Sequence, residues 1–169
     1  WRKKMSLNSN IRVFFIFSTN FPSITQLQDV NSDTNSLSVS SGNPNLQQSY
    51  THFVSGRYSY TNSKTSKSFF ANLFLQTAAD YISNASYFIK TDSVTNNVTV
   101  KRNSQFTKPV NLDGYKSLRT FFNYSMPLKF IKTTLNLNAG FSYSRLPGLI
   151  DFKPTVTNNY NYNTGLVFA

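Results

Sequence analysis

From Thr133 to Ser144 the chain reads TTLNLNAGFSYS, and its two kinds of residue alternate without a break. Thr133, Leu135, Leu137, Ala139, Phe141 and Tyr143 fall on one side; Thr134, Asn136, Asn138, Gly140, Ser142 and Ser144 fall on the other. Successive side chains of a strand point to opposite faces, so this spacing predicts a β-strand with one apolar and one polar face. In a soluble sandwich the apolar face would meet a core. In a membrane barrel it would meet lipid, with the polar face lining a wet lumen.

The same reading predicts six strands. They cover about Asn10 to Thr19, Gln48 to Thr61, Lys67 to Ser83, Asn111 to Ser125, Thr133 to Arg145 and Thr155 to Phe168. The greasier face of the third strand is Phe69, Ala71, Leu73, Leu75, Thr77, Ala79 and Tyr81, and the fourth alternates Lys116, Leu118, Thr120, Phe122 and Tyr124 with Tyr115, Ser117, Arg119, Phe121 and Asn123. The sixth strand repeats the pattern of the fifth, whereas the first is apolar on both sides. No window has helical periodicity with caps. The candidates exceed the ~5–6 residues of an average soluble strand and meet the ~9–11 that a tilted strand needs to cross a bilayer.

The connections sort by length. Long stretches separate strands one from two and three from four. A short polar turn separates two from three (NSKTSK), a short connection separates four from five (MPLKFIKT), and LPGLIDFKP between five and six is intermediate. Long loops at one end and short turns at the other are how outer-membrane barrels are built. Aromatic residues at the strand ends suit interfacial girdles, although Tyr is also a good strand former wherever it occurs.

Composition points the same way. Charged residues make up 14% of the 169 residues, against roughly a quarter in an ordinary soluble domain. The net charge of +11 raises the question of nucleic acid, but beyond Arg2, Lys3 and Lys4 the cations are scattered singly, so no nucleic-acid partner is expected. The chain has no Cys, which removes disulfides, thiolate metal sites and a Cys nucleophile. It has no long apolar run for a membrane helix, and WRKKMSLNSN lacks the apolar core of a secretory signal.

Several pieces carry a family resemblance. They are Pro22-Ser23, Gln26-Leu27-Gln28, the box Gly42-Asn43-Pro44-Asn45-Leu46 with Tyr50 after it, PVNLDGY (Pro109 to Tyr115), and the stretch from Leu135 to Ile150. Together they resemble the barrel region of TonB-dependent receptors and their large outer-membrane β-barrel relatives. The likeness implies energised nutrient uptake across the outer membrane. It also implies outer-membrane lipid, the rest of a barrel and its plug and a TonB-type energising complex as partners, and it permits a surface lipoprotein. Family barrels have roughly 22 strands. With plug, signal peptide and closing strand absent, residues 1–169 are expected to be a partial barrel domain. The Gly42 to Leu46 box itself reads as turn chemistry: Gly42 and Asn43 suit a positive-φ turn, and Pro44 fixes the following φ.

Catalytic chemistry is not expected. His52 is the only histidine, and no phosphate loop, zinc-protease motif or nucleophile elbow is present. Asp29, Asn31, Ser32 and Asp33 make an oxygen-rich loop, but without calcium-loop spacing or its closing Glu. No cofactor or metal is expected. Arg57, Asp80 and Arg119 sit on the polar sides of their strands, where they are candidates for pairing across the lumen or for touching a plug or substrate.

The fold expected is thus all-β: an antiparallel, up-and-down transmembrane β-barrel segment of about six strands, with long outer loops and short periplasmic turns, in the cell outer membrane. The alternatives are a soluble β-sandwich that binds glycans through its tyrosines, or a small stand-alone outer-membrane barrel.

Overall fold

Six long strands form where the alternation predicts them. The computed structural model describes residues 1–6, 8–30, 32–35, 37–95 and 98–169. In chain order the elements are β1 (Arg2–Lys4), β2 (Ser9–Asn20), α1 (Ile24–Leu27), β3 (Ser32–Asn35), β4 (Ser38–Ser40), β5 (Ser49–Asn62), β6 (Lys67–Ala79), β7 (Tyr81–Phe88), β8 (Ser93–Thr95), β9 (Val98–Val100), β10 (Gln105–Leu112), β11 (Tyr115–Leu128), β12 (Thr133–Ile150) and β13 (Lys153–Phe168). The six long strands β2, β5, β6, β11, β12 and β13 are neighbours in that order, each antiparallel to the next.

Their registers bring every apolar face onto one side. Phe15 pairs with Val54, Val54 with Leu75, Leu75 with Leu118, Leu118 with Tyr143, and Tyr143 with Tyr160. Lower on the sheet Ala71 pairs with Phe122, Phe122 with Ala139, and Ala139 with Thr164. A slip of one residue at any pair would turn that strand's apolar set to the other side. The opposite face carries Ser55, Asn72, Ser117, Asn123, Asn138, Ser142 and Asn161. The apolar side is not covered by protein: Phe15 is 63% exposed, Phe17 72% and Leu166 55%. Among the described residues the buried apolar side chains are few, namely Val39, Leu46, Ala78 and Ala85, and three of them lie in the long connections. A soluble sandwich would pack two sheets over a common core. Among the described residues there is one 11-stranded sheet and a separate β8–β9 pair, so the sandwich alternative is not what this chain folds into.

The strand count of about six needs correction. Five more strands, β1, β3, β4, β7 and β10, join the same sheet, which is open rather than closed. The third and fourth predicted strands are also too long at one end. The chain turns out of the ladder of long strands at Asp80 (φ 51°) and returns to it at Gly114 (φ 100°), and a left-handed backbone ends a strand. Between these points β7 and β10 form a hairpin that branches away from β6 and β11. It pairs in parallel with β12 on one side (Leu149 with Ala85) and with β4 on the other (Phe106 with Val39), so the sheet is not wholly antiparallel. The intermediate connection between the last two strands is instead a tight hairpin. Asp151 (φ 46°) and Phe152 (φ 62°) form its two-residue turn, and the strands run on through Pro147 and Gly148. Two consecutive positive-φ residues match the turn whose twist suits a hairpin.

The sorting of connections holds for the first four. Connections 21–48 and 80–114 leave from one end of the sheet, and turns 63–66 and 129–132 from the other. In the first short turn the Asn62 side chain accepts the Lys64 and Thr65 amides at 3.0 and 3.3 Å. The β12–β13 hairpin rises at the long-connection end and meets the excursion there: the Phe88 amide donates to Asp151 Oδ1 at 2.8 Å, and the Asp151 amide to the Ser86 carbonyl at 3.0 Å.

Candidate functional site: the polar face and the outer latch

Two places concentrate polar chemistry. The first is the junction of the two long connections. Ser23 caps the single turn α1 in a reciprocal box: its hydroxyl accepts the Gln26 amide at 3.2 Å, and its own amide donates to Gln26 Oε1 at 2.9 Å. The Asn43 amide then donates to the Gln26 carbonyl at 2.6 Å. The Asn43 side chain accepts the Asn45 amide at 3.1 Å and donates to the Pro109 carbonyl of the second connection at 2.9 Å. Beside it Asn111 accepts the Gln47 amide at 2.8 Å and donates to the carbonyls of Gln47 and Asp80 at 2.9 and 2.8 Å. Every polar end thus has a backbone partner, and Leu46 is buried under the box.

The box is turn chemistry, but not of the expected kind. Neither Gly42 nor Asn43 has a positive φ. Gly42 is required by close approach instead, because a Cβ there would lie 2.1 Å from the Gln28 carbonyl oxygen. The separate pieces Pro22-Ser23, Gln26 to Gln28, Gly42 to Leu46 and Pro109 to Tyr115 therefore meet in one latch. A shallow cavity of about 340 Å³ opens beside it, lined by Gln26, Gln28, Ser41, Asn84 and Pro109 among others.

The second place is the polar face of the long strands. Arg57 Nε donates to Asn72 Oδ1 at 2.9 Å on the neighbouring strand. Arg119 borders a cavity of about 210 Å³ with Phe53, Phe74, Gln76 and Ser117, and the rings of Phe53 and Phe74 stack at 6.0 Å. Asn161 Nδ2 donates to Ser142 Oγ at 3.4 Å. Arg57 and Arg119 thus share one face, as their parity predicts, but Asp80 does not join them. It lies six residues beyond Phe74, the cross-strand partner of Arg119, or roughly 20 Å along the strand. Its amide binds Asp113 Oδ1 at 3.0 Å at the foot of the excursion. The expected Asp80–Arg pairing is therefore not formed.

Sequence reading passed over Arg12. It is the direct cross-strand partner of Arg57, and Arg2 is the partner of Arg12 on its other side. Parity puts Arg12 on one side with Phe14 and Ile16, in a strand that is apolar on both sides; only the register makes the three arginines neighbours.

His52 packs edge-on to Phe17, ring centres 5.1 Å apart, on the apolar face. Midway along the β12–β13 ladder the same face carries two aromatic pairs, Tyr143–Tyr160 and Phe141–Tyr162, each at 5.0 Å. Above the span Tyr81 stacks on Tyr115 at 4.4 Å, and burial, with Tyr115 adding to it, pushes the Tyr81 hydroxyl pKa up. Asn31 of the oxygen-rich loop lies outside the described residues, as do the side chains of Ser32 and Asp33.

No curated protein matches the chain. A family profile does, over residues 2–169. An exposed apolar face, a hydrogen-bonded polar face and long connections at one end are what that family's location demands, and the chain belongs to the outer membrane protein beta-barrel family.

Proposed function

We propose that this sheet forms wall of a TonB-dependent-receptor-type barrel that takes up nutrients across the outer membrane. The observation that supports it is the joining of two long connections into one structured assembly above the strands, through Asn43–Pro109 and the β4–β10 pairing. A plain wall needs only turns, whereas a knitted outer cap suits a surface that meets solutes. On this reading the polar face lines the transit path, the apolar face meets lipid, and a plug, a TonB-type energising complex and a surface lipoprotein are the partners. Arg57 and Arg119 contact solute or plug; Asp80, at the foot of the outer excursion, contacts what enters.

Deleting the gene and following growth across a panel of limiting nutrients tests this. A nutrient whose uptake is lost, and is equally lost when the energising complex is disabled, supports the proposal. Uptake that never depends on that complex would sink it.

The second reading is a small barrel standing alone. It is favoured by the two edges of the sheet, β13 and β1–β2, which share one apolar and one polar side and have free backbone groups that a bilayer does not tolerate. A particle mass and strand content matching a single closed chain would select it.

A further inference from the structure

Arg2, Arg12 and Arg57 form a row across three adjacent strands. Arg2 pairs with Arg12 and Arg12 with Arg57, so the three Cα atoms follow one another at about 5 Å on one face. Like charges directly opposite each other destabilise a sheet. Nothing in the neighbouring sequence neutralises them. All six acids of the chain, Asp29, Asp33, Asp80, Asp92, Asp113 and Asp151, lie off the six long strands.

A second observation concerns Arg12 alone. Its Nε is fully covered and has no hydrogen-bond partner. A covered guanidinium nitrogen without an acceptor is costly, and in native proteins such a group points to a missing partner. Arg57 is by contrast held through Nε by Asn72 of β6, on the side of β5 away from Arg12. Planar guanidinium groups match the oxygen pairs of phosphate and carboxylate groups.

We propose that the Arg12–Arg57 pair, with Arg2 beside it, binds an oxyanion, a phosphate or carboxylate group carried by a solute in the lumen. The proposal deepens the uptake reading and rests on its assignment of the polar face to the lumen. The row lies toward the short-turn end of β2 and β5, where a solute crossing from the long-connection end arrives last. Arg119 lies higher, two strands from Arg57, beside the Phe53–Phe74 stack. The oxyanion site is therefore distinct from that more apolar hollow.

The test is titration calorimetry of inorganic pyrophosphate and of citrate into the full chain, extracted from outer membranes in detergent. The variants are the Arg12→Gln, Arg57→Gln double substitution and Arg57→Gln alone, which removes the more exposed partner and keeps the proposal testable should the double variant fail to assemble. Lys116→Gln, a cation on the apolar face, is the control. Wild type and control are expected to bind one of the two anions alike, with affinity at least tenfold weaker in the arginine variants. Equal affinity in Arg57→Gln and wild type overturns the proposal. So does an absence of binding to wild type when a cysteine placed at Asn138 reacts with a water-soluble reagent: the lumen is then open and the row is satisfied by a protein carboxylate rather than a solute. Binding here does not require energised transport, so the site survives or fails independently of the uptake phenotype.

Discussion

Asn43 and Pro109 lie in different connections, yet the Asn43 side-chain amide donates to the Pro109 carbonyl at 2.9 Å. Proline has no amide proton to offer a ladder, and its carbonyl is the group left to bind. One asparagine therefore joins the two long connections, while its own amide ties the box to Gln26 and its carboxamide oxygen closes the local turn at Asn45.

Removing that side chain should be felt in both segments. Asn43→Ala leaves the Pro109 carbonyl and the Asn45 amide without these partners, at a cost of about 1–3 kcal/mol where water cannot replace them. Gly42→Ala should cost at least as much, because the obstructing atom is backbone, the Gln28 carbonyl oxygen. Ser23→Ala, which removes a helix cap, should cost about 1 kcal/mol. Limited proteolysis of intact cells checks the order: cleavage within 21–48 should rise most for Gly42→Ala and least for Ser23→Ala. Resistance of Gly42→Ala equal to that of wild type would show that the close approach is not a constraint.

The assignment of faces can be read chemically. The chain has no cysteine, so single substitutions report cleanly. Asn138→Cys should react with a membrane-impermeant maleimide in purified, membrane-embedded protein, and Leu137→Cys only with a lipophilic one. Reversed reactivity would turn the sheet inside out.

The same neighbours predict unequal tolerance of charge. Leu137→Arg places a guanidinium on the lipid side toward the short-turn end of β12, where the cost is bounded by the about 2–4 kcal/mol of the bilayer midplane, whereas Asn138→Arg enters the wet side at little cost. Heat-modifiable migration of the assembled protein is the readout. Equal loss of assembly in both variants argues against a lipid face.

The Tyr81–Tyr115 stack predicts an alkaline effect. The Tyr81 pKa is raised in the folded protein above its unfolded value near 10, so the folded state holds its proton more tightly. The resulting stability is fully present below the unfolded pKa and is lost as pH rises through the folded one. Cleavage of the 80–114 excursion should therefore increase above about pH 10, and Tyr81→Phe should reduce that increase. An unchanged pH profile in Tyr81→Phe would place the alkaline sensitivity elsewhere.

The period of two was enough to locate six strands and to divide five of them into two faces, the first being apolar on both sides, because strand geometry is local and long alternation leaves little ambiguity. Low charge and sorted connections pointed to a membrane barrel before any contact was known. Register is not local. That Phe15, Val54, Leu75, Leu118 and Tyr143 lie in one line, and that Arg2, Arg12 and Arg57 form a row, depends on pairings between residues 10 to 45 positions apart. The outer excursion was illegible for the same reason. β4, β7 and β10 are short, and they become strands through one another and through β12, while Asp80 and Gly114 end the long strands by backbone conformation and not by any change in alternation. The Gly42 to Leu46 box was recognisable as a turn, but its glycine answers to the Gln28 carbonyl packed against it, a constraint that exists only once the connection has folded back on itself.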